Sequence, residues 1–407
     1  TFYTEGQEVA TITTASGTGV AQIDNLPLGK YYVKEISAPT GYLLNEQTYT
    51  ANLVYKNDTT PVVELKIEGV KDTEPTGKIV LYKVSENNDK IGGAVFQVIA
   101  AEKITNKAVT KTFYTEGQEV SKITTASGTG VAQIDNLPLG KYYVKEVQAP
   151  TGYLLNENTY TANLVYKNDT TPVITIEIKG VVDEEPTGTI SIIKKDSKTG
   201  SMAQGDATLK DAVYKVYADE DIYNVAKSKK FYSKGDLVAT RTTDEKGVCQ
   251  DVTDLPIGKY IVKEENPPKG YLIDKKTYKV DLKYKDQYTK IITGNANSTD
   301  KVKEMRIHIF KSGIKVNSGE TPGLAGAIFT IKLNSTVQRA YDKGYTYAEV
   351  WGGIDEYGNA VTVDSKRVAE AQVIAPTYEA IETDENGDAY TQNVLPYGTF
   401  IVKETTT

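Results

Sequence analysis

The sequence predicts an all-β protein, a linear array of tandem seven-stranded immunoglobulin-like β-sandwiches. Three observations predict it. A ten-residue frame occurs four times: Leu26 to Glu35 (LPLGKYYVKE), Leu137 to Glu146 (LPLGKYYVKE), Leu255 to Glu264 (LPIGKYIVKE) and Leu395 to Glu404 (LPYGTFIVKE). Apolar and polar residues alternate with period two between these frames, the signature of strands with one buried face. Tyrosines number 29 against 7 phenylalanines, which suits sheets whose other face meets water.

The frame spacings of 111, 118 and 140 residues are too long for a solenoid and fit one folded unit per repeat. Within the second repeat, strands are expected at Lys78 to Val84, Ala94 to Ala101, Lys141 to Val147, Tyr160 to Tyr166 and Pro172 to Lys179, with weaker ones near Phe113 and Val131. Asn87-Asn88-Asp89, Ser127-Gly128-Thr129-Gly130 and Pro150-Thr151-Gly152 supply turns between them. Seven strands are the count of an immunoglobulin-like sandwich.

The expected domains are a partial repeat at 1–71 lacking its first strands, complete repeats at 77–182 and 188–297, and a partial repeat at 304–407. Both ends of the chain cut through a repeat, as expected of a fragment. Short linkers stiffened by Pro75 and Pro186 join the repeats, which predicts a semi-rigid rod. Residues 1–62 match 112–173 at all but five positions (Ala10, Thr11, Ile36, Ser37 and Gln47), which suits a length-adjusting spacer better than specialised sites. The fourth repeat carries an insertion at about 336–381. It holds Tyr345, Tyr347, Trp351 and Tyr357, candidate ligand contacts, and a segment, Ser365 to Val373, that could be one short helix. A loop packing its own aromatics is the competing reading.

Composition narrows the chemistry. The net charge of −7 is spread over interspersed acidic and basic residues, with no nucleic-acid footprint and no polybasic membrane patch. The single histidine, His308, alternates with Ile307 and Ile309 on a strand and is expected to face solvent. It excludes a Ser-His-Asp or multi-histidine metal site common to the repeats, and no cofactor motif appears. Cys249 replaces Ala21 and Ala132 of the sister repeats and is expected to be a small buried side chain.

Two strand features recur. Lys83, Lys194 and Lys311 each close an apolar-x-apolar-x pattern, which aims the amine at the core; Lys78 and Lys195 are the competing registers. Glu35, Glu146, Glu264 and Glu404 end the frame in strands whose neighbours are apolar or aromatic. A lysine and a glutamate buried together are costly without a purpose.

The extended frames LPLGKYYVKEISAPTGY, LPLGKYYVKEVQAPTGY and LPIGKYIVKEENPPKGY, with first-strand segments such as GKIVLYKVSENNDKIGGAVF, resemble the Cna B-type or SpaA-like (prealbumin-like) repeats of Gram-positive surface adhesins and pilins. The resemblance implies a seven-stranded sandwich and an intramolecular isopeptide bond between a first-strand lysine and a last-strand Asn or Asp. It casts Glu35, Glu146, Glu264 and Glu404 as proton shuttles. The acceptor stays unassigned, because Gly69, Gly180 and Gly294 occupy its expected place, with Asn295, Asp72 and Asp183 further on. An uncrosslinked ion pair is the alternative. The resemblance further implies an extracellular, cell-wall-anchored stalk whose anchor lies outside this fragment. Its partners would be neighbouring repeats and a host protein or glycan.

Overall fold

The computed structural model describes residues 2–406 and falls into two compact units, Thr1–Glu184 and Glu185–Thr407. In the first unit, β1 (Gly29–Lys34) and β2 (Thr48–Leu53) of the first repeat form an antiparallel pair. The second repeat follows with β3 (Thr76–Ser85), β4 (Val95–Ala100), β5 (Ile104–Thr105), β6 (Thr112–Tyr114), β7 (Glu119–Thr124), β8 (Val131–Leu137), β9 (Gly140–Gln148), β10 (Thr159–Leu164) and β11 (Val173–Asp183). A four-stranded sheet ordered β10-β9-β4-β7 packs on a three-stranded sheet ordered β11-β3-β8. One buried cluster joins them, with Ile79 and Leu81 from β3, Phe96 and Val98 from β4, Tyr142 and Val144 from β9, and Ile178 and Val181 from β11. Each of these large side chains contributes about 1.5–3 kcal/mol when taken out of water.

The strand count of seven matches the expectation, but one member differs. The segment near Phe113 forms only the small β5-β6 pair, and the seventh core strand is β7, Glu119–Thr124. Its sequence, EVSKIT, carries few apolar residues because β7 lies at the sheet edge and only Ile123 is fully inward.

The recurring frame builds a corner. Asn25, Asn136 and Asp254 adopt φ of 61°, 59° and 58°, turning the chain just before the Leu-Pro pair. The frame tyrosine then donates its hydroxyl back to the proline carbonyl, Tyr142 to Pro138 at 2.7 Å, Tyr31 to Pro27 at 2.7 Å and Tyr260 to Pro256 at 2.6 Å. The ring fills the core while its polar end is satisfied.

In the second unit, the third repeat repeats the plan with β12 (Thr187–Asp196), β13 (Val213–Ala218), β14 (Ile222–Tyr223), β15 (Lys230–Tyr232), β16 (Leu237–Thr242), β17 (Val252–Leu255), β18 (Gly258–Asn266), β19 (Thr277–Leu282) and β20 (Ile291–Asp300). Its sheets are ordered β16-β13-β18-β19 and β17-β12-β20. Cys249 is buried, and desolvation pushes its thiol up to about 12, the environment of a small inert side chain.

The fourth repeat contains β21 (Glu304–Met305), β22 (His308–Phe310), β23 (Ile328–Leu333), α1 (Asn334–Asp342), α2 (Tyr347–Val350), α3 (Ser365–Ile374), β24 (Thr377–Glu382), β25 (Asp388–Tyr390), β26 (Leu395–Pro396) and β27 (Phe400–Thr406). The insertion therefore holds three helices rather than one. Thr346 and Glu349 close a capping box on α2, and Asp364 caps α3. The residues from Thr377 on belong to β24, which pairs with β23 in the sheet, so the inserted part ends earlier than expected. His308 is half exposed, stacks on Tyr390 at 4.1 Å and sits 2.6 Å from Asp388.

Neighbouring repeats touch within each unit. In the first, Leu44 N donates to Asp169 O at 2.9 Å and Tyr166 donates to Tyr42 O at 3.3 Å. In the second, Tyr397 packs against Leu209, Tyr271 and Val302, and Asp206 N donates to Tyr397 O at 2.8 Å.

Beneath the helical insertion, Lys332 of β23 is 1% exposed, and none of the ion pairs among the described residues involves it. Its amine donates to Gln372 Oε1 at 2.7 Å and Ala375 O at 2.6 Å, and burial lowers its pKa to about 8. Between this value and the ordinary lysine value of 10.5 the unfolded chain binds the extra proton, so stability must rise with pH over that interval. Denaturation followed by fluorescence of Trp351, the chain's single tryptophan, 5.8 Å from the Lys332 amine, is expected to show a midpoint that climbs from pH 8 to 10. The rise is expected to vanish in Lys332→Met; a flat or falling midpoint in the unaltered chain would contradict the assignment.

Candidate functional site

The first and last strands of each complete repeat lie side by side and parallel, β3 with β11 and β12 with β20. On β3 the odd residues point inward, which buries Ile79, Leu81 and then Lys83. Lys78 faces outward and pairs with Asp135 at 3.1 Å. On β12 the even residues point inward instead, which buries Lys194 and leaves Lys195 exposed. Opposite, β9 and β18 carry Glu146 and Glu264 into the core from the other sheet.

The closing strands bring a third group. Asp183 at the end of β11 contacts the Lys83 amine, whose distance to Glu146 Oε2 is 3.3 Å. Asp300 at the end of β20 contacts Lys194 in the same manner, and Glu264 Oε1 lies 2.8 Å from that amine. All six side chains are fully buried. Each complete repeat thus places one amine between two carboxyls, joining three strands and both sheets.

Sequence reasoning did not assign Asp183 or Asp300 as the acceptor, for two different reasons. In β11 the inward positions Ile174, Ile176 and Ile178 are even, and straight alternation points to Gly180. A register shift between Ile178 and Val181, with Gly180 at φ 73°, inserts a residue and turns the inward set to Val181 and Asp183. In β20 alternation is unbroken, but the strand runs to Asp300, beyond the expected domain end at 297. Asn295 is exposed.

The backbone holds the site rigid. Asn156 N donates to Glu146 Oε2 at 2.8 Å, Asp274 N to Glu264 Oε2 at 2.7 Å, and Asn45 N to Glu35 Oε2 at 2.7 Å. Gly130 and Gly247, at φ 65° and 78°, accept hydrogen bonds from Lys83 N and Lys194 N at 2.8 and 2.7 Å. A Cβ on either would sit 2.3 or 2.4 Å from the lysine carbonyl oxygen, so only glycine lets the turn press so close.

The partial repeats keep parts of the arrangement. In the first, Glu35 has its backbone donor, and Asp72, at the place of Asp183, has a buried Oδ1 with no hydrogen-bond partner. In the fourth, Lys311 lies 2.6 Å from Glu404, both half-buried. Gly387 accepts from Lys311 N at 2.7 Å, as Gly130 and Gly247 do in their repeats.

Burial dominates the electrostatics. It raises Glu146 to about 7 and raises Asp183 in the second repeat; in the third it raises Asp300 to about 7. One lysine beside two buried carboxyls carries a net negative charge, and a single shared proton neutralises the group. That composition can condense: a neutral amine attacks a protonated carboxyl carbon, water leaves, and two costly buried charges become one amide.

The aromatic insertion behaves differently from a ligand surface. Trp351 is 5% exposed and donates its indole N–H to Tyr341 at 3.0 Å. Tyr345 and Tyr347 are half-buried against the same small core as Val337 and Ala371, and Tyr347 accepts from Lys403 at 2.6 Å. Of the four named ligand candidates, Tyr357 alone stands in solvent.

A family model described as the SpaA prealbumin-like fold domain matches residues 1–68, 77–180 and 188–297. A collagen adhesin from Staphylococcus aureus is 30% identical over 188 residues, 43% of this chain, and the chain spans 15% of that relative's length. Among solved structures, the Bacillus anthracis TIE protein is 24% identical with a TM-score of 0.46, covering 90% of this chain and 49% of that one. A streptococcal ancillary pilin is 23% identical with a TM-score of 0.23, covering 66% and 76% respectively.

Removing the amine tests the electrostatics. Lys83→Met and Lys194→Met leave two buried carboxyls, and loss of one partner of a buried ion pair costs about 3–5 kcal/mol. In the second repeat Glu146 and Asp183 titrate above their ordinary range in the folded state, and in the third Asp300 does, so the unfolded chain sheds protons first as pH rises. Stability is therefore complete below the ordinary carboxyl range and is lost as pH climbs toward 7. Denaturant midpoints are expected to fall steeply between pH 4.5 and 7.5; equal loss at both values would contradict the account.

Proposed function

Since the chain belongs to the SpaA family of prealbumin-like fold domains, we propose that it is a structural shaft segment of a Gram-positive surface adhesin or pilin, stiffened by isopeptide bonds from Lys83 to Asp183 and from Lys194 to Asp300. The observation that carries this reading is the buried lysine held between two carboxyls in both complete repeats. In each, the lysine amine attacks the aspartate Cγ while the glutamate takes a proton from nitrogen and returns it to the departing hydroxyl, so that water leaves. Glu146 and Glu264 are the shuttles. Glu35 and Glu404 are assigned the same role in the flanking repeats, and Lys311 is the amine of the fourth.

The value of such a bond is mechanical as well as thermodynamic. Lys83 and Asp183 are separated by 100 residues, and closing a loop of that size adds on the order of 4 kcal/mol by the chain-entropy argument. Force entering at one end of a repeat and leaving at the other then passes through a covalent link instead of the sheet. The near-identity of residues 1–62 and 112–173 supports a spacer whose length changes by duplication. The likeness to a collagen adhesin supports an extracellular place on a wall-anchored surface protein, where neighbouring repeats are the immediate partners. Binding of a host protein or glycan through the insertion has less support, because Trp351, Tyr345 and Tyr347 are spent on the insertion's own core. The chemistry is a single self-modification per repeat, not turnover.

Intact mass decides the matter. The expressed chain is expected about 36 Da below the mass of its sequence, one water of about 18 Da for each Lys-Asp amide. Glu146→Gln and Glu264→Gln are each expected to restore about 18 Da by removing one shuttle. An unshifted mass for the unaltered chain would overturn the bonds.

A further inference from the structure

The second and third repeats hold the same three groups in different surroundings. Register places Phe96 opposite Glu146 and Tyr214 opposite Glu264, and it pairs Val181 with Lys83 and Ser298 with Lys194. Two apolar side chains of the second repeat are thus replaced by two hydroxyls in the third. Both hydroxyl residues are fully buried, at 0% and 1% exposure.

The hydroxyls join the site. Tyr214 and Ser298 hydrogen-bond each other, and Tyr214 donates to Glu264 Oε1 at 3.4 Å. That arrangement makes Ser298 the donor to Tyr214. The same Glu264 oxygen accepts from Lys194 at 2.8 Å, while Oε2 accepts from Asp274 N at 2.7 Å, so both carboxylate oxygens are engaged. In the second repeat Glu146 Oε2 takes both Lys83 and Asn156 N, and the buried Oε1 has no partner.

We propose that the Ser298–Tyr214 hydroxyl pair is a positioning element of the third repeat's bond-forming site, which holds Glu264 as the carboxylate that accepts the lysine proton and leaves the acid proton on Asp300. This rests on the bond-forming reading above. Donors on a carboxylate favour its charged form, and a carboxylate with an orphaned buried oxygen favours the protonated one. The elevated groups agree in the third repeat, where Asp300 is raised, whereas in the second both Glu146 and Asp183 are. The step balances: Glu264 takes a proton from the Lys194 ammonium, the freed amine bonds to Asp300 Cγ, Glu264 passes that proton to the leaving hydroxyl and takes a second from nitrogen, so that water departs and Glu264 ends protonated beside the amide. The third repeat begins with the proton already on the carboxyl that must lose hydroxide. In the second, Glu146 and Asp183 each have an orphaned buried oxygen, so the proton is divided between them.

The test follows bond formation in time, with the second repeat of the same molecules as the control. Full-length chain is synthesised in a cell-free system and quenched in acid at successive times. The digested peptides joined between the Lys194 and Asp300 segments, and between the Lys83 and Asp183 segments, are then counted by mass spectrometry. Tyr214→Phe and Ser298→Val are expected to slow the third-repeat bond about tenfold, the weight of a hydrogen bond to a charged group, and to leave the second-repeat bond unchanged. Ser298→Thr, which keeps the hydroxyl, is expected to restore the unaltered rate, a rescue that a packing role would not produce. Ser298→Val, which restores the second repeat's valine chemistry, covers the case in which Tyr214→Phe fails to fold. Unaltered third-repeat rates in both Tyr214→Phe and Ser298→Val would overturn the proposal. Absence of joined peptides from both repeats of the unaltered chain would instead overturn the bond itself.

Discussion

A lysine amine buried between two carboxyls is the constraint around which each complete repeat is arranged. An ammonium and two carboxylates removed from water cost several kcal/mol apiece unless they are paired closely. Close pairing here requires that the first strand, the last strand and a strand of the opposite sheet converge on one point. The parallel register of β3 with β11, the glycine turn against the lysine backbone and the amide donated to the glutamate all serve that convergence. The sandwich core around it is ordinary; the polar centre is what demands this topology.

Much of that centre was legible in sequence because alternation is local. The pattern Ile79-x-Leu81-x-Lys83 needs no tertiary information to aim an amine inward, and the glutamate of the frame stands among apolar neighbours. The acceptor was not legible. A bulge at Gly180 reverses parity over a span where the sequence shows only a lysine and a glycine, and a strand end such as Asp300 is set by its parallel partner, not by its own composition. β7 escaped notice for a related reason, since an edge strand buries little and EVSKIT carries little apolar signal. In the fourth repeat the aromatics announced an insertion, but whether they face in or out depends on the helices α1 and α2, whose weak local signals gave no warning of a separate small core.

The fourth repeat also contains a buried amine in a different setting. Lys332 is as enclosed as Lys83, yet its partners are a glutamine and a backbone carbonyl. Burial there lowers the amine's own affinity for a proton, whereas in the complete repeats it raises that of Glu146, Asp183 and Asp300. The difference is the presence of an acid that can surrender hydroxide and a second one that can carry the proton. A lysine held by neutral acceptors is thus distinguished from one held between two carboxyls, the arrangement the proposed bond requires.

Force on a single molecule tests the central claim most directly. Lys83 and Asp183 enclose 100 residues, a contour of roughly 330–360 Å at 3.3–3.6 Å per extended residue. Covalently closed repeats must withhold that length, so pulling on the unaltered chain is predicted to show no extension of this size from the second or third repeat, while Asp183→Ala and Asp300→Ala each release one. Steps of that length in the unaltered chain would contradict the account.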